Sequence, residues 1–176
     1  MPLSEIRKMV KSETNELEWK YHILVVLKYA KLLSKGLKVN QEILELAVLL
    51  HDIGRFRHGP ENHELTGIEE AEKILGKHHY SKKTINEIKH CIESHQRHQI
   101  LPNTKYAEIV ANADAIAHFD FLAYFYTLSK TEGFENLITK FKRKLNYEWK
   151  YKLTLKKAKQ LAKPKYDAIR LILKDY

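Results

Sequence analysis

Cysteine, glycine and proline are scarce in this chain of 176 residues, and so are long apolar runs. The single cysteine, Cys91, cannot form a disulfide within the chain, which fits a reducing cytoplasm and favours a small buried side chain over a nucleophile. No apolar run reaches the ~20 residues of a membrane span. The first five residues lack the basic and apolar segments of a signal peptide. We therefore expect a cytoplasmic protein that does not cross the membrane.

The alternation of apolar and polar residues that is typical of β-strands is also scarce, whereas helical periodicity runs through most of the chain. The pattern predicts helices over 15–34, 63–75, 82–95 and 104–130, another that begins at Asn40 and ends at Gly54, and two or three basic helices after Gly133. Loops are predicted at 55–62 and 96–103, where polar residues, glycine and proline cluster. The expected fold class is all-α, a bundle of about eight helices.

The net charge of +9 is concentrated in one segment. Residues 140–176 carry thirteen Lys and Arg against three acids, whereas residues 1–139 carry eighteen against nineteen. We predict a helical domain over 1–139 that holds the candidate functional residues, with the basic helices of 140–176 packed on the same domain. A basic segment of this kind can attract nucleic acid or an anionic substrate, and it can equally be the solvated face of a helix.

The pair His51-Asp52 is the most informative feature that the chain does have. It follows the apolar stretch 46–50 near the predicted end of a helix. Because that stretch should be buried, both residues are expected to lie next to the core. An unpaired buried carboxylate costs several kcal/mol or takes up a proton. A cation bound by Asp52, with His51 beside it as a neutral imidazole ligand, would remove that cost.

Two further residues complete a candidate metal site. His22 lies on the preceding helix, which should pack antiparallel across the short connection 35–40 and so bring His22 towards the pair. Asp114 is the one acid in the apolar stretch 109–117. Two histidines and two aspartates form a mixed nitrogen and oxygen set, which suits Mn, Fe, Co, Ni, Mg or Zn and leaves positions open for water and substrate.

The ordered set His22, His51-Asp52 and Asp114 resembles the H…HD…D signature of the HD-domain metal-dependent phosphohydrolase superfamily. The resemblance covers about residues 19–120, with His-Asp-Ile-Gly-Arg after an apolar helix and an Ala-Asp-Ala segment in a later helix. It implies an all-α bundle in which the four positions hold a divalent metal.

Two more histidines resemble motifs of particular branches of that superfamily. His63 opens an H-x-x-x-G segment and His95 ends an I-x-x-x-I-x-x-H segment, as in the symmetrical diadenosine tetraphosphate hydrolases and the HD-GYP phosphodiesterases. The resemblance implies one or two ions, the second held by Asp52, His63 and His95, with Asp52 bridging. The Gly-Tyr-Pro motif is absent, which argues against cyclic dinucleotide hydrolysis, and Arg55 stands where bacterial 5′-deoxynucleotidases have a glutamate.

A phosphate substrate needs cationic donors. Arg55, one turn after the pair, is the first candidate for substrate binding; Arg57 and Arg97 follow, and any of the three can instead be a surface residue. His118, one helical turn after the last acid of the set, is predicted to reach the substrate or to support the metal site. The aromatic group within 119–126 is typical either of a core or of a base-stacking pocket.

The leading hypothesis is a hydrolase of phosphoesters or phosphoanhydrides whose small phosphorylated substrate is a nucleotide. In this hypothesis a divalent metal activates water, Asp52 and Asp114 hold the metal and accept a proton, and Arg55 neutralises phosphoryl charge. One alternative is a di-iron oxygenase of the same superfamily. Another is a nucleic-acid-binding module that uses residues 140–176 and has a structural metal.

Overall fold

The computed structural model describes residues 2–120 and 134–175, and within these ranges all regular structure is helical, which confirms the all-α fold class. The helices are α1 Pro2–Glu13; α2 Glu16–Glu18, continued by a π-helical turn Trp19–Ile23 and by Leu24–Ser34; α3 Gln41–Leu50; α4 Ile53–His58; α5 His63–Lys77; α6 Lys82–Ser94; α7 Lys105–Ala117; α8 Phe134–Tyr147, continued by a π-helical turn Glu148–Lys152; and α9 Lys156–Ile172, continued by a 3-10 turn Leu173–Asp175. Among the helices so described, none has the length and apolar character needed to cross a membrane.

Helix α7 lies at the centre of the bundle. All of its residues from Ile109 to Ala117 are buried, and a helix that is apolar on every side is stable only when other elements surround it. Helices α2, α3 and α6 pack against it. Asp114 therefore lies in the interior, as its apolar sequence neighbours predicted.

A short connection sets α2 beside α3. Helix α2 ends before Gly36, whose φ of +86° is a left-handed conformation that glycine adopts at low cost. Helix α3 begins after Asn40, whose side-chain oxygen accepts a hydrogen bond from the backbone N–H of Glu42 at 2.9 Å. The early part of α2 is thus brought next to the end of α3, and His22 meets His51 there.

The prediction that Gly54 ends a helix and that residues 55–62 form a loop was wrong in part. Helix α3 ends at Leu50, and Gly54 lies within the next helix, α4, which covers the first part of that range. A Cβ atom at Gly54 would lie 2.2 Å from the backbone oxygen of His63 and 2.5 Å from the backbone nitrogen of Gly67. Gly54 therefore allows the backbones of α4 and α5 to touch, a tertiary contact that a local pattern does not reveal.

Helix α7 is shorter than predicted. It ends at Ala117, whereas the periodicity predicted a helix to position 130. Phe119, the first member of the aromatic group, is buried against the rings of Trp149 and Tyr166 and so belongs to the core. The other members, between 121 and 126, lie outside the described residues.

Candidate metal centre

Four of the predicted ligands converge at one point of the bundle. His22 comes from the π-helical turn of α2, His51 from the C-terminal end of α3, Asp52 from the residue that precedes α4, and Asp114 from the central helix. Single π turns of this kind occur frequently at functional sites. His22 is partly exposed and the other three side chains are buried, so the convergence point is almost wholly enclosed by protein.

The first cluster is held together by short distances between possible ligand atoms. Nε2 of His22 lies 3.1 Å from Nε2 of His51, 3.4 Å from Oδ2 of Asp52 and 3.6 Å from Oδ1 of Asp114. Nε2 of His51 lies 3.7 and 3.8 Å from the same two carboxylate oxygens. Ligand atoms about 2.1 Å from one metal ion are roughly 3–3.5 Å from one another. These side chains could therefore hold an ion after a small contraction.

A second cluster shares one residue with the first. Oδ1 of Asp52, the carboxylate oxygen not directed at the first cluster, lies 3.4 Å from Nε2 of His63 and 3.6 Å from Nε2 of His95. The two histidine Nε2 atoms are 3.4 Å apart. Asp52, His63 and His95 thus form a second set that could hold a metal. The two oxygens of Asp52 face the two sets, as required of a bridging carboxylate.

Three of the histidines share one arrangement of the imidazole ring. In each, Nδ1 donates a hydrogen bond to a backbone carbonyl three residues earlier: His51 to Val48 at 2.7 Å, His63 to Pro60 at 3.0 Å and His95 to Ile92 at 2.6 Å. A carbonyl oxygen only accepts, so Nδ1 carries a proton, and in the neutral imidazole the lone pair is on Nε2. That lone pair faces the cluster, which is the tautomer and orientation found in histidine ligands of metals.

Three ligands of the first set also have protonation states that suit metal binding, because ligands must be deprotonated. Burial lowers the pKa of His51 to about 4, so its imidazole is uncharged at neutral pH. Burial alone would raise the pKa of Asp52, but the histidines around it, His51 first, hold that pKa well below its usual range. Burial likewise opposes the ionisation of Asp114, and Lys152 holds the pKa of that carboxyl well below its usual range. The donor set therefore fits a divalent cation.

Two of the predicted substrate-binding residues lie beside the clusters. Nη1 of Arg55 is 3.3 Å from Oδ2 of Asp52, and its Nη2 is 3.3 Å from Oε1 of Glu18. Nε2 of His118 is 3.8 Å from Oδ1 of Asp114, and Nδ1 of its ring is 3.2 Å from Oε1 of Glu148. Both residues thus contact the aspartates of the centre directly.

The other two predicted arginines are paired elsewhere. Arg57 donates to both carboxylate oxygens of Glu13, at 2.5 and 2.7 Å, and to Glu70. Arg97 donates to Glu108 and, at 2.9 Å, to the hydroxyl of Thr154. The structure therefore does not place these two guanidinium groups beside the two sets of candidate metal ligands.

A cleft of about 400 Å³ adjoins the second cluster. His63 belongs both to the cluster and to the wall of the cleft, so the cleft leads to the site. Its polar wall is formed mainly by amide, imidazole and carboxylate groups: Asn62, Glu64, Glu93, Gln96, His98 and Gln99. A cleft of this size is within the range that binds small organic ligands.

The comparison with protein families decides what kind of domain this is. The family model described as the HD domain matches residues 19–118, which include all six predicted ligands. The chain belongs to the HD domain family. The matched segment ends before α8, so the basic segment of this HD domain lies outside it.

Two solved structures are similar to this HD domain over nearly its whole length. A predicted HD superfamily hydrolase from an uncultured Thermotogales bacterium has 19% identity and a TM-score of 0.67, with 98% of this chain and 89% of that chain covered. Bacillus subtilis YpgQ in complex with ADP has 20% identity and a TM-score of 0.72, with 99% and 95% covered. At these identities the likeness supports the fold. No curated protein matches the chain.

Sequence reasoning missed three side chains that complete the centre of this HD domain. They are Lys152, Glu148 and Gln96. Nζ of Lys152 lies 2.7 Å from Oδ2 of Asp114 and 3.5 Å from Oε2 of Glu148, and the side chains of Lys152, Asp114 and Glu148 are buried. Gln96 lies between Lys152 and His95. The spacing of four between Glu148 and Lys152 was an available signal, since such residues face each other on a helix. Within a strongly basic segment the same spacing is typical of a surface pair, so it did not stand out.

Proposed function

We propose that this HD domain is a metal-dependent phosphohydrolase that cleaves a phosphoester or phosphoanhydride bond of a nucleotide. The observation that carries the proposal is the position of Asp52, whose two carboxylate oxygens face two separate histidine sets. Two adjacent divalent ions form an arrangement that is used repeatedly in phosphoryl hydrolysis. Carboxylate-rich sites with open positions are also more typical of catalytic than of structural metals.

In the proposed site, His22, His51, Asp52 and Asp114 hold one ion. Asp52, His63 and His95 hold the other. The first four residues alone would support the binding of a single ion, and the second set adds a second one. When bound, such ions are Lewis acids that lower the pKa of water and polarise phosphoryl oxygens. Mn, Fe, Co, Ni, Mg and Zn are all compatible with this mixed nitrogen and oxygen set.

The remaining roles fall to side chains of the chain itself. Asp52 and Asp114 orient the centre, and one of the two carboxylates accepts the proton that the attacking water loses. Arg55 is held in place by Glu18 and Asp52, and its guanidinium group neutralises charge on the phosphoryl oxygens as the bond breaks. We omit Arg57 and Arg97 from the site because acids outside the centre pair with both.

A nucleotide is the proposed substrate for two reasons. The cleft of about 400 Å³ beside His63 has room for the nucleoside while the phosphate lies at the metals. Its amide and imidazole groups can form hydrogen bonds with a base or a sugar. In addition, the structurally similar YpgQ was solved in complex with ADP.

The proposal includes residues 140–176 in the same functional unit. Lys152, from that segment, contacts Asp114 of the matched domain, and Lys144 lies 3.0 Å from Glu148. Some cations of the basic segment are thus directed at the centre. A reducing cytoplasm stays the expected location, because the single cysteine, Cys91, cannot form a disulfide within the chain.

The test is phosphate release from a panel of nucleotides and dinucleotide polyphosphates, with Mn²⁺ added to metal-depleted protein. We expect release by the wild type, none with chelator, and none by Asp52→Ala. The exposed Asp167→Ala is the matched control and should leave activity unchanged. Full activity in chelator, or in Asp52→Ala, would contradict the proposal. Oxygen uptake by the iron-loaded protein without phosphate release would favour the oxygenase alternative.

A further inference from the structure

The orientation of the Gln96 side-chain amide is fixed by Lys152. Nζ of Lys152 lies 2.7 Å from Oδ2 of Asp114, 3.4 Å from Oε1 of Gln96 and 3.5 Å from Oε2 of Glu148. An ammonium group only donates hydrogen bonds, so the amide oxygen of Gln96 must face Lys152. The amide nitrogen therefore faces the opposite way, where it lies 3.1 Å from Nε2 of His95.

This places an N–H donor beside His95, one of the three residues of the second set of candidate metal ligands. Nδ1 of His95 donates to the carbonyl of Ile92, so in the neutral imidazole Nε2 is the acceptor of the Gln96 N–H bond. The same lone pair is the one that would bind a metal. When His95 serves as a ligand, the Gln96 amide keeps its position through Lys152 but loses this acceptor. The freed N–H group then needs an acceptor, which at the wall of the cleft is water or an oxygen of a bound ligand.

We propose that the side-chain N–H of Gln96 donates to a phosphoryl oxygen of the substrate. The inference rests on the proposed function and adds a substrate-contacting residue to it. Gln96 lines the cleft as well as touching the centre, so a phosphate that enters along the cleft passes this amide. A neutral donor also suits a position beside two cations, since it binds phosphoryl oxygen without adding a further positive charge.

A purely structural role for Gln96 would give a different ranking of variants. If Gln96 served only to support Lys152, then Gln96→Glu would keep or strengthen that contact and Gln96→Met would lose it. If Gln96 donates to phosphate, Gln96→Met loses the donor, and Gln96→Glu both loses it and directs a carboxylate oxygen at the phosphate. The proposal therefore predicts activity in the order wild type, Met, Glu.

The experiment measures kcat and KM for nucleotide hydrolysis and, by calorimetry, the affinity of the Mn²⁺-loaded protein for inorganic phosphate. For Gln96→Met we expect a fall in kcat of at least ~10-fold, as for loss of a transition-state donor, and weaker phosphate binding by about tenfold. Gln96→Glu should be weaker still in both, with Mn²⁺ stoichiometry unchanged. Gln160→Met, on a different surface of the molecule, is the control.

The outcomes separate this inference from the proposed function. Hydrolysis by the wild type that Gln96→Met and Gln96→Glu leave unchanged, with phosphate affinity also unchanged, would overturn the inference alone. Wild-type-like activity of Gln96→Glu beside a weak Gln96→Met would overturn it in favour of the structural role. Phosphate binding that depends on Gln96, without hydrolysis, would support the inference and contradict the proposed function. Absence of both hydrolysis and phosphate binding would overturn both.

Discussion

The ammonium nitrogen of Lys152 lies 2.7 Å from Oδ2 of Asp114, and both side chains are buried. This contact occupies one oxygen of Asp114 and leaves the other, Oδ1, directed at His22 and His51 at 3.6 and 3.8 Å. Lys152, from the basic C-terminal segment, thus determines that Oδ1 of Asp114 is the oxygen that faces the first set of candidate metal ligands. It also links that segment to the interior of the bundle.

Removing this ammonium group should destabilise the metal-free protein. Lys152→Met keeps the length of the side chain but leaves Asp114 without its buried lysine partner and Glu148 with one lysine, Lys144, where it had two. Breaking a buried ion pair costs about 3–5 kcal/mol. The free energy of unfolding from urea titration of metal-free protein measures the effect. Lys156→Met, an exposed position on α9, is the matched control and should change stability little. Equal stability of both variants would show that Lys152 does not compensate these acids.

The number of bound ions should depend on His63. His63→Gln removes one of the three proposed ligands of the second ion and none of the first, so Mn²⁺ stoichiometry should fall from two to one. Metal analysis and calorimetric titration of metal-depleted protein provide the count. The control is His78→Gln, because the imidazole of His78 lies near Glu5 on another part of the surface. This variant should bind the same number of ions as the wild type. Two ions in His63→Gln would refute the assignment of the second site.

The close approach of α4 and α5 makes a sharp prediction for two glycines. In Gly54→Ala the new methyl group would lie 2.2 Å from the backbone oxygen of His63, so one of the helices must move. We expect a loss of about 2 kcal/mol or more, in the range of overpacking or above it, and weaker binding of the second ion.

The control for that change is built into the next helix. At Gly76 in α5, no atom other than those of the adjoining residues and helix backbone lies within 4 Å of the position that a methyl group would take. Gly76→Ala should therefore raise stability by about 0.5–1 kcal/mol through helix propensity alone. Thermal unfolding of the two variants gives the comparison. If Gly54→Ala were as stable as Gly76→Ala, the contact between the two backbones could not be as close as the structure has it.

Acid should weaken the fold partly through Glu70. The hydrogen bond from Arg57, together with those from Lys73 and His58, lowers the pKa of Glu70 from 4.5 to about 2. A carboxyl whose pKa is depressed by folding stabilises the protein above its unfolded pKa, and that stabilisation is lost as the pH falls through the folded pKa. Because solvent screens these pairs in part, Glu70 should contribute on the order of 1–2 kcal/mol at neutral pH, lost between about pH 4.5 and about pH 2.

The variant Glu70→Gln isolates this contribution. It should be less stable than the wild type at neutral pH, and the two should converge as the pH falls below the unfolded pKa. Denaturant titrations at a series of pH values would show the convergence. Glu69→Gln, one residue away and exposed, should follow the wild-type profile. A constant difference between Glu70→Gln and the wild type at every pH would mean that ionisation of Glu70 is not the cause.

Several helix boundaries were predictable because local chemistry determines them. Asn40 and Ser81 each accept a hydrogen bond from a backbone N–H of the helix that follows, and these are the starts that polar side chains before apolar periodic runs predicted. The end of the long helix at Ala117 was not predictable in this way, because aromatic and apolar residues continue the periodicity beyond it. Gly54 was misread for the opposite reason, since its tertiary contact with α5 outweighs its usual role as a helix terminator.

The sequence by itself determined the all-α class through its helical periodicity. It also indicated His22, His51, Asp52 and Asp114 as candidate ligands, because a buried acid needs a partner, whereas His63 and His95 came from the resemblance to a known superfamily. Only the tertiary structure brought these side chains within 4 Å of one another, with one oxygen of Asp52 facing each set. It also decided which cations serve the centre: Arg55 and Lys152 contact its aspartates, whereas Arg57 pairs with Glu13 and Glu70. The sequence specifies the charge of each side chain. Which residue that charge pairs with depends on which helices the packed core brings together.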